Sequence, residues 1–386
     1  MKILFAGDLS FEHIKQYPGD RAMEAVFAQV KPYFESADFR MVNLESVFNS
    51  GFTPIIKSGP NISAMPEFVH VLNHLQIDVA GLANNHLGDY GHEAMVYTMN
   101  ILDENGIACV GAGNNIAEAY EAHVLSKDGV NVSVLAICEN EFGIATAQKS
   151  GAAGYRLGMT AHAIAREKAK GNDVVIFFHG GNENNPYPSP KKQELYRMFV
   201  ELGADAVIAM HTHCPQGYET WQGKPIIYSM GNFYFPHGTT GVFADPNYTW
   251  FYGYMTQLEI ADGKITAQQI PYHFTDDRME LLTGEKLEAF ERYMQTLCAP
   301  IGDEEELRRL FEGWAMITGP VYADFASYTE AMLDNQDAVR HMKNNFSCEA
   351  HNELLTAYFD LCYEGRTAKV KPVSDHIKSL QTIVLE

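Results

Sequence analysis

Through its first 230 residues the chain alternates short apolar runs with helical patterns. Eight runs are strand-like: Lys2–Ala6, Phe39–Leu44, Asp78–Leu82, Ala108–Gly111, Val130–Ile137, Val174–Phe178, Ala206–Met210 and Pro225–Ser229, each flanked by Gly, Asn, Asp or Pro. Continuous apolar runs of this length, bounded by turn formers and separated by helical segments, predict βα units and mainly parallel strands. Among the helices, one is predicted from about Glu93 to Glu104, with Met95, Val96, Met99 and Leu102 on one stripe and Asn105-Gly106 as its stop. Another starts at Ser189-Pro190, a good N-cap followed by Pro at the first helical position, and carries Leu195, Met198, Phe199 and Leu202 inward.

From Gly253 the pattern becomes a hairpin, Tyr254–Ile260 and Lys264–Tyr272, turning at Ala261-Asp262-Gly263. After His273 the period is helical, with candidates near Gly284–Leu297, Asp303–Phe311, Tyr322–Asp334 and Cys348–Tyr363. There is no internal repeat and no low-complexity linker. The chain therefore divides into an α/β domain, residues 1–273, and a helical extension, residues 274–386, packed on it.

Charge narrows the partners. Against 49 acidic side chains stand 28 basic ones, a formal charge of −21, which repels nucleic-acid phosphates and anionic headgroups. No nucleic acid and no membrane insertion are expected. Residues 274–386 hold 11 basic and 21 acidic side chains, so 11 − 21 = −10 of that charge lies in the helical extension. No apolar run reaches the roughly 18 residues of a membrane span, and the opening MKILFAGDLS meets an acid at Asp8. With no signal peptide or anchor to read, and six cysteines without a CxxC pair, a cytoplasmic chain with unpaired thiols is expected.

The chemistry is positional. Five apolar runs end in metal-competent residues: Asp8 after the first, Asn43-Leu44-Glu45 after the second, Asn84-Asn85-His86 after the third, His179-Gly180-Gly181 after Val174–Phe178, and His211-Thr212-His213 after Ala206–Met210. Parallel strands share one carboxyl edge, where ligands bind. Any one cluster alone reads as a turn former or a hydrogen-bonded loop histidine; five at successive strand ends predict a metal site. In an extended segment His211 and His213 would point the same way, and Cys214 away. Carboxylate, amide and imidazole suit Mn²⁺, Fe²⁺ or Zn²⁺, and the lack of thiolate ligands argues against a structural zinc site. Neither HExxH nor GxSxG is present.

The ordered series GDLSF, NLES, LANNHLGDYG, HGGNE, MHTHCPQGYE and PIIYSMGNFYF, over roughly residues 1–235, resembles the capsule-synthesis CapA family. That family is associated with poly-γ-glutamate capsules and sits in the calcineurin-like metallophosphoesterase superfamily. The resemblance implies a four-layer α/β/β/α sandwich of two mixed sheets with two divalent metal ions at one edge. Asp8 and His213 would hold the first ion, Asn85, His179 and His211 the second, and Glu45 would bridge them. His86 would act on the leaving group, oriented by Asp89. Ser10 stands where the superfamily usually has a histidine, and His13 is a candidate to compensate. The implied mechanism is attack by a metal-bound water, its pKa lowered towards about 7, between ions roughly 3.5–4 Å apart. Lys57, Arg21 and Glu183 are candidate neighbours of the substrate, a small molecule or a polyanionic polymer. The function implied is hydrolysis of a phosphate ester or polymer bond; a non-catalytic binding or assembly role in a capsule or envelope system is the alternative.

Overall fold

Two mixed sheets pack through their apolar faces. A computed structural model describes residues 1–325 and 334–384. The first sheet runs in the order Arg278–Leu281, Lys264–Thr275, Tyr252–Ala261, Lys2–Leu9, Phe39–Leu44, Val79–Gly81, Ala108–Val110, with Asn232–Tyr234 added beside the end of Lys2–Leu9. Its Lys2–Leu9 to Ala108–Val110 part is parallel, and the hairpin that follows Tyr252 is antiparallel. The second sheet runs Tyr218–Trp221, Lys224–Ile227, Ala206–Met210, Asp173–His179, Val130–Cys138, His123–Lys127, parallel inside and antiparallel at both edges. All eight predicted runs form strands. The hairpins at the edges make both sheets mixed.

Phe5 and Phe177 meet across the layers with ring centroids 5.8 Å apart. Gly81 makes room for that ring, since a Cβ there would stand 2.7 Å from it. Leu157–Ala169 and Pro190–Glu201 cover the second sheet, while Gly91–Glu104 and the short Asp20–Val26 lie on the first. The result is the α/β/β/α layering. The Ser189 hydroxyl caps its helix by accepting from the Lys192 N–H. Gly91–Glu104 and Pro190–Glu201 were both legible in the sequence, with the Ser189 cap and the Asn105 stop, but the inward stripe of the second was misread: Leu195 and Met198 are half-buried and Leu202 is exposed, while Lys192, Gln193, Tyr196 and Val200 are buried beside Phe199. Leu157–Ala169 was not legible, because its buried face is made of Thr160, Ala163, Ile164 and Glu167 rather than large apolar residues.

The sheet continues past residue 273, through Arg278–Leu281, and helices take over at Gly284. The predicted Asp303–Phe311 segment is the start of a longer helix, Glu304–Phe325, which carries Gly319 and Pro320 inside it. Gly319 lies against the Tyr358 ring, where a Cβ would come within 2.6 Å, so a residue that ordinarily weakens a helix serves a close contact. The Tyr322–Asp334 candidate begins within this helix, and its residues 326–333 lie outside the described residues. Gln336–Ser347, Glu349–Tyr363 and Thr367–Ser379 complete the extension. Among the described residues no helix is long and apolar enough to cross a membrane.

Candidate metal centre

The carboxyl ends of Lys2–Leu9, Phe39–Leu44, Asp173–His179 and Ala206–Met210 converge on one buried cluster. Glu45, His179 and His211 form one triad, and Asp8, Glu45 and His213 a second, each with one ligand atom per residue within 4.8 Å of the others. Glu45 belongs to both. Its Oε2 lies 3.4 Å from His179 Nε2, and its Oε1 3.8 Å from His213 Nε2. All five side chains are buried.

Asp8 is fixed from two sides. The Asn43 amide donates to its Oδ1 at 2.8 Å, and the His211 backbone N–H to its Oδ2 at 2.9 Å. His213 places Nδ1 2.8 Å from Asn232 Oδ1, which directs its N–H there and leaves Nε2 free to face Glu45. Trp250 and Phe235 pack on the His213 ring at centroid distances of 4.5 and 5.4 Å. His211 and His213 reach the cluster differently from the extended-strand expectation. The strand ends at Met210, and the two residues have φ of 101° and 54°, in the left-handed region that non-glycine residues rarely adopt. The loop's backbone, rather than strand periodicity, sends them to different triads.

His86 sits beside the cluster with Nε2 3.8 Å from Glu45 Oε1. Its Nδ1 is 2.7 Å from Asp89 Oδ2. Lys57 Nζ lies 2.5 Å from Asp89 Oδ1 and 3.1 Å from the same His86 nitrogen. Asp89 also accepts the Ile62 N–H at 2.7 Å. Asp89 thus contacts the His86 ring, the Ile62 backbone and Lys57 at once. Asn85 lines the same cavity. Asn84, its neighbour, is structural: its amide donates to Asn43 Oδ1 and Leu44 O.

Other candidates lie elsewhere. His13 pairs with Glu12 at 2.9 Å and packs against His237 at the cavity mouth. Ser10 is buried and accepts from the Glu12 N–H at 3.4 Å. Arg21 is exposed on its helix and Glu183 is exposed at the cavity rim. The Cys214 thiol points to the Asn185 carbonyl, 3.3 Å away. Asn43, read from the sequence among the metal-competent strand-end residues, instead holds Asp8; Asn232 and Glu141, which pair with His213 and His211, were not singled out from the sequence.

Electrostatics and hydrogen bonding agree that the cluster suits cations. Burial, then Glu45, pushes the Asp8 carboxyl up to about 7, and burial raises Glu45 as well. Burial pushes His179 down to about 4 and His211 well below its ordinary value. At His213 burial acts downward, yet Glu45, Glu183 and Asp8 outweigh it and hold it above its ordinary value. Both Glu45 oxygens, Asn85 Oδ1, His179 Nε2 and His211 Nδ1 are buried without a hydrogen-bond partner. Leaving a buried polar atom unsatisfied costs about 1–3 kcal/mol. Divalent ions would satisfy all five, so the residues fit the metals expected of them.

Residues 2–237 match the family described as bacterial capsule synthesis protein PGA_cap. Over 250 residues the chain is 30% identical to the capsule biosynthesis protein CapA of Bacillus anthracis, covering 62% of this chain and 61% of that one. It is 26% identical over 243 residues to the PGA biosynthesis protein CapA of Bacillus subtilis, covering 61% and 63%. A probable polyglutamine synthesis accessory protein of Mycobacterium tuberculosis is 23% identical over 212 residues, covering 51% and 55%. The matches thus span between 55% and 63% of these curated relatives' length.

Proposed function

The chain belongs to the bacterial capsule synthesis protein PGA_cap family, and from that premise we propose that it is a hydrolase dependent on two divalent metal ions, acting on a phosphate ester or on a bond of a glutamate-type capsule polymer. The observation that carries this reading is the pair of triads sharing Glu45, whose two oxygens lack hydrogen-bond partners. Asp8 and His213 would hold one ion, His179, His211 and Asn85 the other, with Glu45 between them. Mn²⁺, Fe²⁺ and Zn²⁺ all suit this donor set. When bound, such a pair activates water and neutralises the charge that develops during in-line displacement.

The remaining work belongs to the chain's own groups. Asn43 and the His211 N–H hold the Asp8 carboxylate in place before any ligand arrives, a preorganisation that lowers the reorganisation needed at reaction. Asp89 accepts from the His86 Nδ1–H and so fixes the ring, and Lys57 in turn holds Asp89. Nε2, on the Glu45 side, is then left to deliver a proton to the departing oxygen. The cluster's burial excludes bulk water and strengthens each of these contacts.

The test is hydrolysis of p-nitrophenyl phosphate and of poly-γ-glutamate by the metal-loaded chain. His86→Ala is expected to keep its metals and lose about 10²–10⁴ in rate on poly-γ-glutamate or an alkyl phosphate, and much less on p-nitrophenyl phosphate, whose anion leaves unaided. A loaded wild type inert towards both substrates would defeat the reading. Full capsule function in His86→Ala would favour a non-catalytic binding or assembly role.

A further inference from the structure

Two neighbouring parallel strands of the second sheet end in candidate ligands: Asp173–His179 in His179, and Ala206–Met210 in the loop of His211 and His213. A third, Val130–Cys138, runs parallel to Asp173–His179 with Cys138 opposite His179, and it ends at the same edge in Glu139-Asn140-Glu141. Glu139 is 2% exposed and the Glu141 side chain 9%. Neither belongs to the two triads, and the proposed chemistry uses neither.

Glu139 brackets the turn that carries His179. Its backbone N–H donates to His179 O at 3.1 Å, and its Oε2 accepts the Gly181 N–H at 2.8 Å. Between those two bonds sits Gly180, where a Cβ would stand 2.6 Å from the Glu139 Cγ, so the turn closes directly on the glutamate. The other carboxylate oxygen pairs with Lys192 Nζ, which is buried over the Phe178 ring, 5.0 Å from its centroid. A buried carboxylate has to be paired, and this pairing also fixes where the Gly181 acceptor stands.

Glu141 faces the His211 ring from the side away from the cluster. Its Oε1 is 3.8 Å from His211 Nε2, whereas His211 Nδ1 is buried without a hydrogen-bond partner. A carboxylate beside the outer nitrogen of a ligating imidazole favours the proton there and leaves the other nitrogen's lone pair for the ion. Asn344, from Gln336–Ser347, donates to the Glu141 carboxylate. Asn140, between the two glutamates, donates its N–H to Glu349 at 3.0 Å and its amide at 2.6 Å. Residues 139–141 are thus fixed by Pro190–Glu201 on one side and by two C-terminal helices on the other.

We infer that Glu139 and Glu141 are positioning residues for one of the two ions, the one assigned to His179, His211 and Asn85: Glu139 sets the turn that aims His179, and Glu141 sets the tautomer and tilt of the His211 ring. The inference rests on the metal-centre reading and adds a difference between its two positions, since Asp8 and His213 are held by Asn43 and Asn232 instead.

The experiment titrates Co²⁺ into the full chain and reads the visible absorption of the bound ion and the elemental content, not turnover. Two binding steps are expected in the wild type. Glu141→Ala, and separately Glu139→Ala with Lys192→Met, are each expected to weaken one step by about 10–100-fold and to shift its absorption band, leaving the other step in place. Glu139→Gln with Lys192→Met keeps an oxygen for the Gly181 N–H and is expected to restore most of that loss. In a His211→Ala chain, which lacks the affected position, adding Glu141→Ala is expected to change Co²⁺ binding by less than about twofold. Equal weakening of both steps, affinities indifferent to every substitution, a Gln variant as weak as the Ala one, or an undiminished Glu141→Ala effect in His211→Ala would overturn the inference, while two ions bound to the wild type kept the metal centre. A wild type that binds no Co²⁺ would overturn both.

Discussion

Asp8 shows how one residue sets the site's demands. Buried beside Glu45, its carboxyl is pushed from 3.8 up to about 7. A group raised in the folded state favours folding below its unfolded value, and that contribution is lost as pH rises through the folded one. Between 3.8 and about 7 this amounts to roughly 4 kcal/mol for Asp8 in the metal-free chain. Metal-free Asp8→Asn is therefore expected to be more stable than metal-free wild type at pH 8 in urea unfolding, with the difference shrinking towards pH 5. A difference flat across that range would contradict the account. His86 offers a second test at this scale. If it protonates the leaving oxygen, His86→Ala should cost about 10²–10⁴ with an alkyl phosphate and much less with p-nitrophenyl phosphate, whose anion leaves unaided. Asp89→Asn should follow the same pattern more weakly. Equal losses on both esters would remove His86 from that role. Asp8, Glu45, His179, His211 and His213 were legible because polar residues directly after apolar runs stand out. Asn43 was named with them as metal-competent, but its hydrogen bond to Asp8 across 35 residues was not foreseen, and Asn232, bonded to His213 across 19, was missed.

At the scale of elements, the strand ends place the ligands only because the backbone is tightly packed there. Gly7 lies where the register of Lys2–Leu9 against Phe39–Leu44 shifts between Ala6 and Asp8. A Cβ on Gly7 would stand 2.0 Å from the Gly231 carbonyl oxygen. Gly7→Ala is expected to destabilise the fold by about 1–3 kcal/mol and to lower metal affinity by displacing Asp8. Gly158→Ala, in a helix where a Cβ meets nothing within 4 Å, should be neutral or stabilising by up to about 1 kcal/mol. Urea midpoints for the two variants check both. The eight strands were readable because a buried strand is a continuous apolar run. The loop carrying His211 and His213 was readable in content and misread in shape, because its positive φ values are imposed by the surrounding contacts, the His211 N–H to Asp8 among them. Gln336–Ser347 and Thr367–Ser379 escaped for a related reason: the first buries Asn344 and Asn345, and the second carries Pro372.

The whole molecule joins a sandwich carrying the candidate metal cluster to helices that line its cavity. Lys192 and Glu139, both buried, form an ion pair beneath that joint, and Glu349 and Glu353 hold the helices over it. Burial of uncompensated carboxylates and imidazoles makes the metal-free chain the weaker form. Chelator should accordingly lower the melting temperature, and Mn²⁺ or Zn²⁺ restore it, by an amount that grows with metal concentration. The helical period of the C-terminal part was readable, though the strands run on to Leu281 and the helices begin at Gly284 rather than 274; the helices' share in the cavity depends on tertiary contacts that no local pattern encodes.

The central claim is that Glu45 joins two metal positions in one chain. Its most direct test is elemental mass spectrometry on protein purified without chelator and resupplied with Mn²⁺ or Zn²⁺. About two ions per chain are expected in the wild type, as in other paired metal sites, with a fall towards zero in Glu45→Ala, His211→Ala that leaves the fold intact. A wild type holding less than about 0.2 ions per chain under every condition would contradict the account, since a pair of sites held by six buried donors should fill.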